Sequence, residues 1–134
     1  MLSINELKSL ITDLQQNKVT EFSLAGSVVT LKVSDSNKAI NLSAPVYWGG
    51  NFIPISVREA IKKRPPFDDR VIETYLTLDD EAFQVILHYD GQAQAAKPEV
   101  FGALMDEFGY LVDHWREWLD EKDRDDLVHV VNRP

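Results

Sequence analysis

Apolar residues near the start of the chain fall at Leu7, Leu10, Ile11 and Leu14, the i, i+3, i+4, i+7 stripe of an amphipathic helix. Ser3 and Glu6 have capping-box spacing, Leu2 and Leu7 hold the hydrophobic-staple positions, and Asn17 is a plausible stop. The period then changes from 3.6 to 2. Phe22 and Leu24 alternate with Glu21 and Ser23. After a turn at Ala25-Gly26-Ser27, Val29, Leu31 and Val33 alternate with Thr30 and Lys32. This predicts a hairpin of two half-buried strands. A third strand is expected around Ile40 and Leu42, ended by Pro45.

The next stretch, "PVYWGGNFIPIS", has no clear period. Its glycine pair and prolines predict a loop, yet it carries Tyr47, Trp48, Phe52 and Ile53. Such a loop either folds back onto the core or presents an adhesive surface. A short helix follows, with Ser56 and Glu59 spaced as a second capping box. It runs to Arg64, because Pro65 and Pro66 cannot continue it. Residues 71–89 read as a second hairpin. Ile72, Thr74, Leu76 and Leu78 line one face of its first strand, and Phe83, Val85, Leu87 and Tyr89 one face of its second. The turn is Asp79-Asp80-Glu81-Ala82.

The clearest helix is residues 99–119, "EVFGALMDEFGYLVDHWREWL". Phe101, Leu104, Phe108, Leu111, Trp115 and Leu119 form one stripe, widened by Met105 and Val112 on one side and Trp118 on the other. Gly102 and Gly109 lie just beyond the Met105/Val112 edge. Together they cost a helix roughly 2 kcal/mol relative to alanine, so local propensity does not explain them. They leave a shallow notch that lets another backbone approach, either from the chain's own sheet or linker or from a second subunit. The expected order is α-β-β-(β)-α-β-β-α. That is a single α+β domain over residues 1–134, with an antiparallel sheet of about five strands and helices packed on it.

Charge narrows the function classes. The net charge is −8, and it is uneven: residues 1–67 carry 8 basic and 5 acidic side chains, residues 68–134 carry 6 and 17. An acidic surface repels phosphate backbones, so nucleic-acid binding is not expected. The exception, Lys62-Lys63-Arg64, reads as a helix C-terminus matched to its dipole. There are no cysteines, which removes thiol and zinc-thiolate chemistry and fits a cytoplasmic location. Neither a signal peptide nor a membrane span is expected. No catalytic motif or phosphate loop occurs. His114 and Glu117 are spaced as a solvated helix pair, and "DEKDRDD" lacks the glycine a calcium loop needs. No cofactor or metal is expected.

Two resemblances add to this reading. Residues 4–33, "INELKSLITDLQQNKVTEFSLAGSVVTLKV", resemble the N-terminal segment of biotin carboxyl carrier proteins. The A-M-K-M biotinylation motif of those carriers is absent, so biotin carriage is not implied. Over most of the chain, the order of elements resembles the type III secretion chaperones of the Tir chaperone family and the related YbjN-like proteins. The strongest likeness is "ETYLTLDDEAFQVILHYDG" followed by a helix carrying "FGYLVDHWREWL". This resemblance implies a non-enzymatic homodimer that holds a segment of a client protein in the cytoplasm. Candidate partner-binding residues are Gly102, Met105, Gly109, Trp48 and Phe52. The alternatives are an interaction or regulatory domain of another pathway that shares the fold, and a small enzyme with a site assembled across a dimer.

Overall fold

The computed structural model describes residues 5, 19–24, 27–33, 39–63, 65, 67, 72–92 and 98–131. The expected N-terminal helix lies outside the described residues except at Asn5, which is helical. Among the described residues, five strands form one antiparallel sheet: β1 Val19–Leu24, β2 Ser27–Val33, β3 Ala39–Trp48, β4 Thr74–Asp79 and β5 Gln84–Gln92. The spatial order is β1-β2-β3-β5-β4. A short helix, Ile55–Ala60, links β3 to β4, and a long helix, Pro98–Val131, closes the chain. The α+β class and the two hairpins follow from the change of period along the sequence.

The sheet has one covered face. Val29, Leu31, Ile40, Leu42, Ala44, Val85 and Leu87 alternate along β2, β3 and β5, and all are at most 2 % exposed. The long helix meets them with Phe101, Leu104, Met105, Phe108, Leu111, Val112, Trp115 and Leu119, each at most 6 % exposed, while Trp118 at the edge of the predicted stripe is half-buried. Phe67 plugs one end of this layer. Its ring stands edge-on to Trp115, with centroids 5.4 Å apart, and Lys122 caps the neighbouring Trp118 ring at 4.4 Å.

Four local expectations are corrected. Pro45 does not end the third strand. β3 runs on to Trp48, and the register with β5 shifts between Pro45 and Tyr47. A proline inside an interior strand is tolerated at such a bulge, where its missing N–H leaves no ladder bond unmade. The extra residue makes Val46 and Tyr47 consecutive buried positions and returns Trp48 to the opposite face. The second capping box does not form. Pro54 is the N-cap, with no side-chain cap bond, and Ile55 is already helical. The short helix proper ends at Ala60, and turns continue the chain to Lys63. The long helix also runs well past residue 119, to Val131.

Candidate functional site

The irregular segment divides residue by residue. Tyr47 and Ile53 turn into the core, at 3 % and 4 % exposed. Trp48, Phe52 and Ile55 stay in water at 52 %, 60 % and 74 %. Leaving three large apolar side chains wet within eight residues forgoes burial that each would otherwise gain, roughly 1.5–3 kcal/mol apiece.

This segment is held at several points. Gly49 donates its N–H to the carbonyl of Phe83, at 2.7 Å. A Cβ on Gly49 would overlap the Phe52 carbonyl oxygen, and Gly50 has a φ of 76°, so each glycine is required by its place. Arg58 spans two elements. Its Nε donates to the Ile53 carbonyl at 3.1 Å, and its Nη2 donates to Asp80 Oδ1 at 2.8 Å. Asp80 belongs to the β4–β5 turn. That turn is itself fixed by Asp79 Oδ1, which accepts from the N–H groups of Glu81 and Ala82, each at 3.1 Å. The exposed side chains are therefore presented from a braced loop, with less ordering entropy left to lose on binding.

Trp48 pairs with Gln84 in the register and so belongs to the sheet face opposite the helices. Away from Trp48 that face carries polar rows. The pairing Thr30–Ser43–His88–Tyr75 forms one row across it, and Lys32–Asn41–Asp90 forms the next. Tyr75 lies flat on His88, with centroids 4.9 Å apart and planes 8° from parallel. The Tyr75 hydroxyl donates to Asp90 Oδ2 at 2.8 Å, Asn41 Nδ2 donates to Asp90 Oδ1 at 2.6 Å, and Thr77 Oγ1 lies 2.8 Å from His88 Nε2. These contacts set the protonation states. The Asn41 and Tyr75 hydrogen bonds hold the Asp90 carboxyl below its ordinary value. The bond to Asp90 pushes the Tyr75 phenol up, and partial burial pushes the His88 imidazole down. Burial therefore favours the neutral form of the imidazole.

On the covered side, a cleft of about 150 Å³ opens beside edge strand β4, between the end of the short helix and the long helix. A wider, shallow depression on the long helix is lined by Glu117, Asp120, Glu121, Asp123 and Arg124. Among the described residues, no three His, Asp or Glu side chains gather as a metal site, and no helix is long and apolar enough to cross a membrane.

The predicted site residues do not come together. Trp48, the last residue of β3, and Phe52, in the loop that follows, are both exposed. Gly102, Met105 and Gly109 lie on the long helix, and Met105 is only 1 % exposed, packed within the core cluster. Gly109 is buried and Gly102 half-buried. The Met105 flank therefore turns toward the chain's own interior, and Met105 leaves the set of surface candidates. Met105 and Val112, expected at one side of the apolar stripe, are as fully buried as its other members. Sequence reasoning missed Ile55, Arg58 and the Tyr75–His88–Asp90 group. The period-2 pattern placed His88 opposite Val85 but could not bring Asn41 to Asp90 across 49 positions. No protein-family model matches the chain, and no curated protein matches it.

Proposed function

We propose that this protein is a non-enzymatic protein-binding module that holds a segment of a client protein, in the manner of a secretion chaperone. The observation that carries the reading is the braced segment from the end of β3 to the start of the short helix, which exposes Trp48, Phe52 and Ile55. Large apolar anchors on a pre-organised support are what binding hot spots are made of. The sheet face that continues from Trp48 is broad and open rather than a deep pocket with converging polar groups, which suits a polypeptide better than a small substrate. The resemblance to secretion chaperones in element order adds a homodimer and a cytoplasmic setting to this proposal.

The test is affinity capture from the native host with wild type and with a Trp48→Ala/Phe52→Ala double variant, followed by mass spectrometry. Both side chains are mostly exposed, so the variant retains the fold. The expected result is a protein captured by wild type and lost with the variant. Identical capture by both would overturn the assignment of the loop as the binding surface. Light scattering on wild type tests the homodimer separately.

A further inference from the structure

We propose that the partner segment seated on Trp48, Phe52 and Ile55 is cationic, with lysine or arginine side chains beside its apolar ones that meet the acidic β4–β5 turn. The inference rests on the protein-binding reading and names the chemistry of the partner at that same surface.

Each of the three exposed apolar residues is tied to that turn. Trp48 pairs with Gln84 and Gln84 with Asp79, so these residues form one row across the open face. Two strand spacings separate Trp48 from Asp79, about 10 Å. The Phe52 carbonyl lies against Gly49, whose N–H donates to the carbonyl of Phe83 at 2.7 Å, just before β5 begins. Ile55 lies two residues beyond Ile53, whose carbonyl shares Arg58 with Asp80. The apolar residues and the turn are therefore neighbours held in a fixed relation.

The charge left beside the apolar residues is negative. Ile55 and Glu59 are one helical turn apart and share a face of the short helix. Glu59, Asp79, Asp80 and Glu81 are met by two cations, and both of these are already matched: Arg58 with Asp80 at 2.8 Å, and Lys62 with Glu59 at 3.8 Å. Among the described residues, Asp79 and Glu81 have no ion-pair partner. Lys63 lies elsewhere, lining the cleft beside Thr74 at the other end of β4. An incoming carboxylate meets uncompensated negative charge here, and an incoming ammonium or guanidinium is attracted. The exposed Trp48 and Phe52 rings favour the same sign, because their faces attract cations.

The experiment uses the full isotope-labelled protein and acetylated, amidated heptapeptides. The probe is Gly-Lys-Leu-Lys-Phe-Lys-Gly, with one control carrying glutamate for every lysine and another carrying serine for leucine and phenylalanine. At low salt the probe is expected to shift the backbone amides of Trp48, Gly49, Phe52 and Ile55 together with those of Asp79 to Phe83. The glutamate control binds about fivefold more weakly, and the serine control about tenfold more weakly. The lysine preference fades in molar salt, where the screening length is about 3 Å. A Glu81→Lys variant, at an exposed position, cuts that preference severalfold. No shift at these residues at millimolar probe overturns the proposal. Equal binding of the lysine and glutamate peptides there overturns the charge inference while leaving the binding surface in place. A preference unmoved by Glu81→Lys, or shifts that fall on the long helix at Glu117 to Arg124 instead, also overturns it. So do shifts of Trp48 to Ile55 on concentrating the protein alone, because a second copy then takes the surface. Co-sedimentation with phosphatidylcholine vesicles that the Trp48→Ala/Phe52→Ala variant loses overturns it as well, because the surface then meets lipid. The two readings fail separately: host capture unchanged by that double variant overturns the surface itself, whatever the charge preference of the peptides.

Discussion

Replacing Arg58 by alanine tests how the exposed loop is held. Arg58 makes two different contacts, and their worth can be separated. The pair with Asp80 joins side chains that are 38 % and 66 % exposed, so solvent screening leaves it about 0.5 kcal/mol. The Nε bond to the Ile53 carbonyl is partly buried and charge-assisted, worth about 1 kcal/mol net. Arg58→Ala should therefore cost about 1.5 kcal/mol, or about 6 °C in Tm for a domain of this size. Asp80→Asn removes only the ion pair and should cost about 2 °C. That smaller loss should fade in molar salt, where the screening length falls to about 3 Å. Arg58→Lys keeps a charge for Asp80 but lacks the planar fork that reaches both partners, so it should fall between the two. Differential scanning calorimetry at low and high salt reads all of these. If Asp80→Asn costs as much as Arg58→Ala, or if Arg58→Ala is neutral, the Ile53 carbonyl contact does not brace the loop and the argument from pre-organisation fails.

Other outcomes follow from the same contacts. Leu87→Ala, at a fully buried position in the centre of the sheet, should lose about 3 kcal/mol in urea unfolding with little change in the denaturant slope; a loss under 1 kcal/mol would mean the core is less tightly packed than described. Gly49→Ala should destabilise by about 2 kcal/mol, since its Cβ meets backbone that cannot swing aside, and an unchanged Tm would refute the tight turn. The partly buried His88 gives a pH dependence. Its folded value lies below its ordinary one, so the unfolded chain takes up the proton first. Stability is full above about pH 6.5 and erodes as pH falls from there toward the folded value. Between pH 7.5 and 5.0, wild type should lose more Tm than His88→Gln, and equal losses would sink the assignment. Asp90 has the same sign in a lower window: its hydrogen-bonded carboxylate stabilises above the ordinary carboxylate range, and that contribution disappears as acid protonates it. The gap between wild type and Asp90→Asn should therefore close toward pH 2.

The sequence by itself determined the elements and their inner faces. Alternation placed Val29, Leu31, Val85 and Leu87 on the covered side, and the 3.6 period put Phe101 to Leu119 on the sheet. Burial selects that spacing within each element, so it is written locally. What tertiary structure alone decided is which elements meet. The β4–β5 hairpin is legible in the sequence, but β5 also pairs with β3 on its other edge, and nothing in either strand's own pattern names that neighbour. The same pairing lets β3 pass through Pro45 by a bulge, which returns Trp48 to the open face although the proline signalled an end. It also placed the residues expected to bind a partner differently from one another. Met105 was drawn inward because the stripe of the long helix is wide enough to bury it. Phe52 stayed exposed, next to Ile53, whose carbonyl Arg58 ties to Asp80. The Tyr75–His88–Asp90–Asn41 group arises only once three strands are in register, since hydrogen-bond partners so far apart in the chain leave no periodic trace in it.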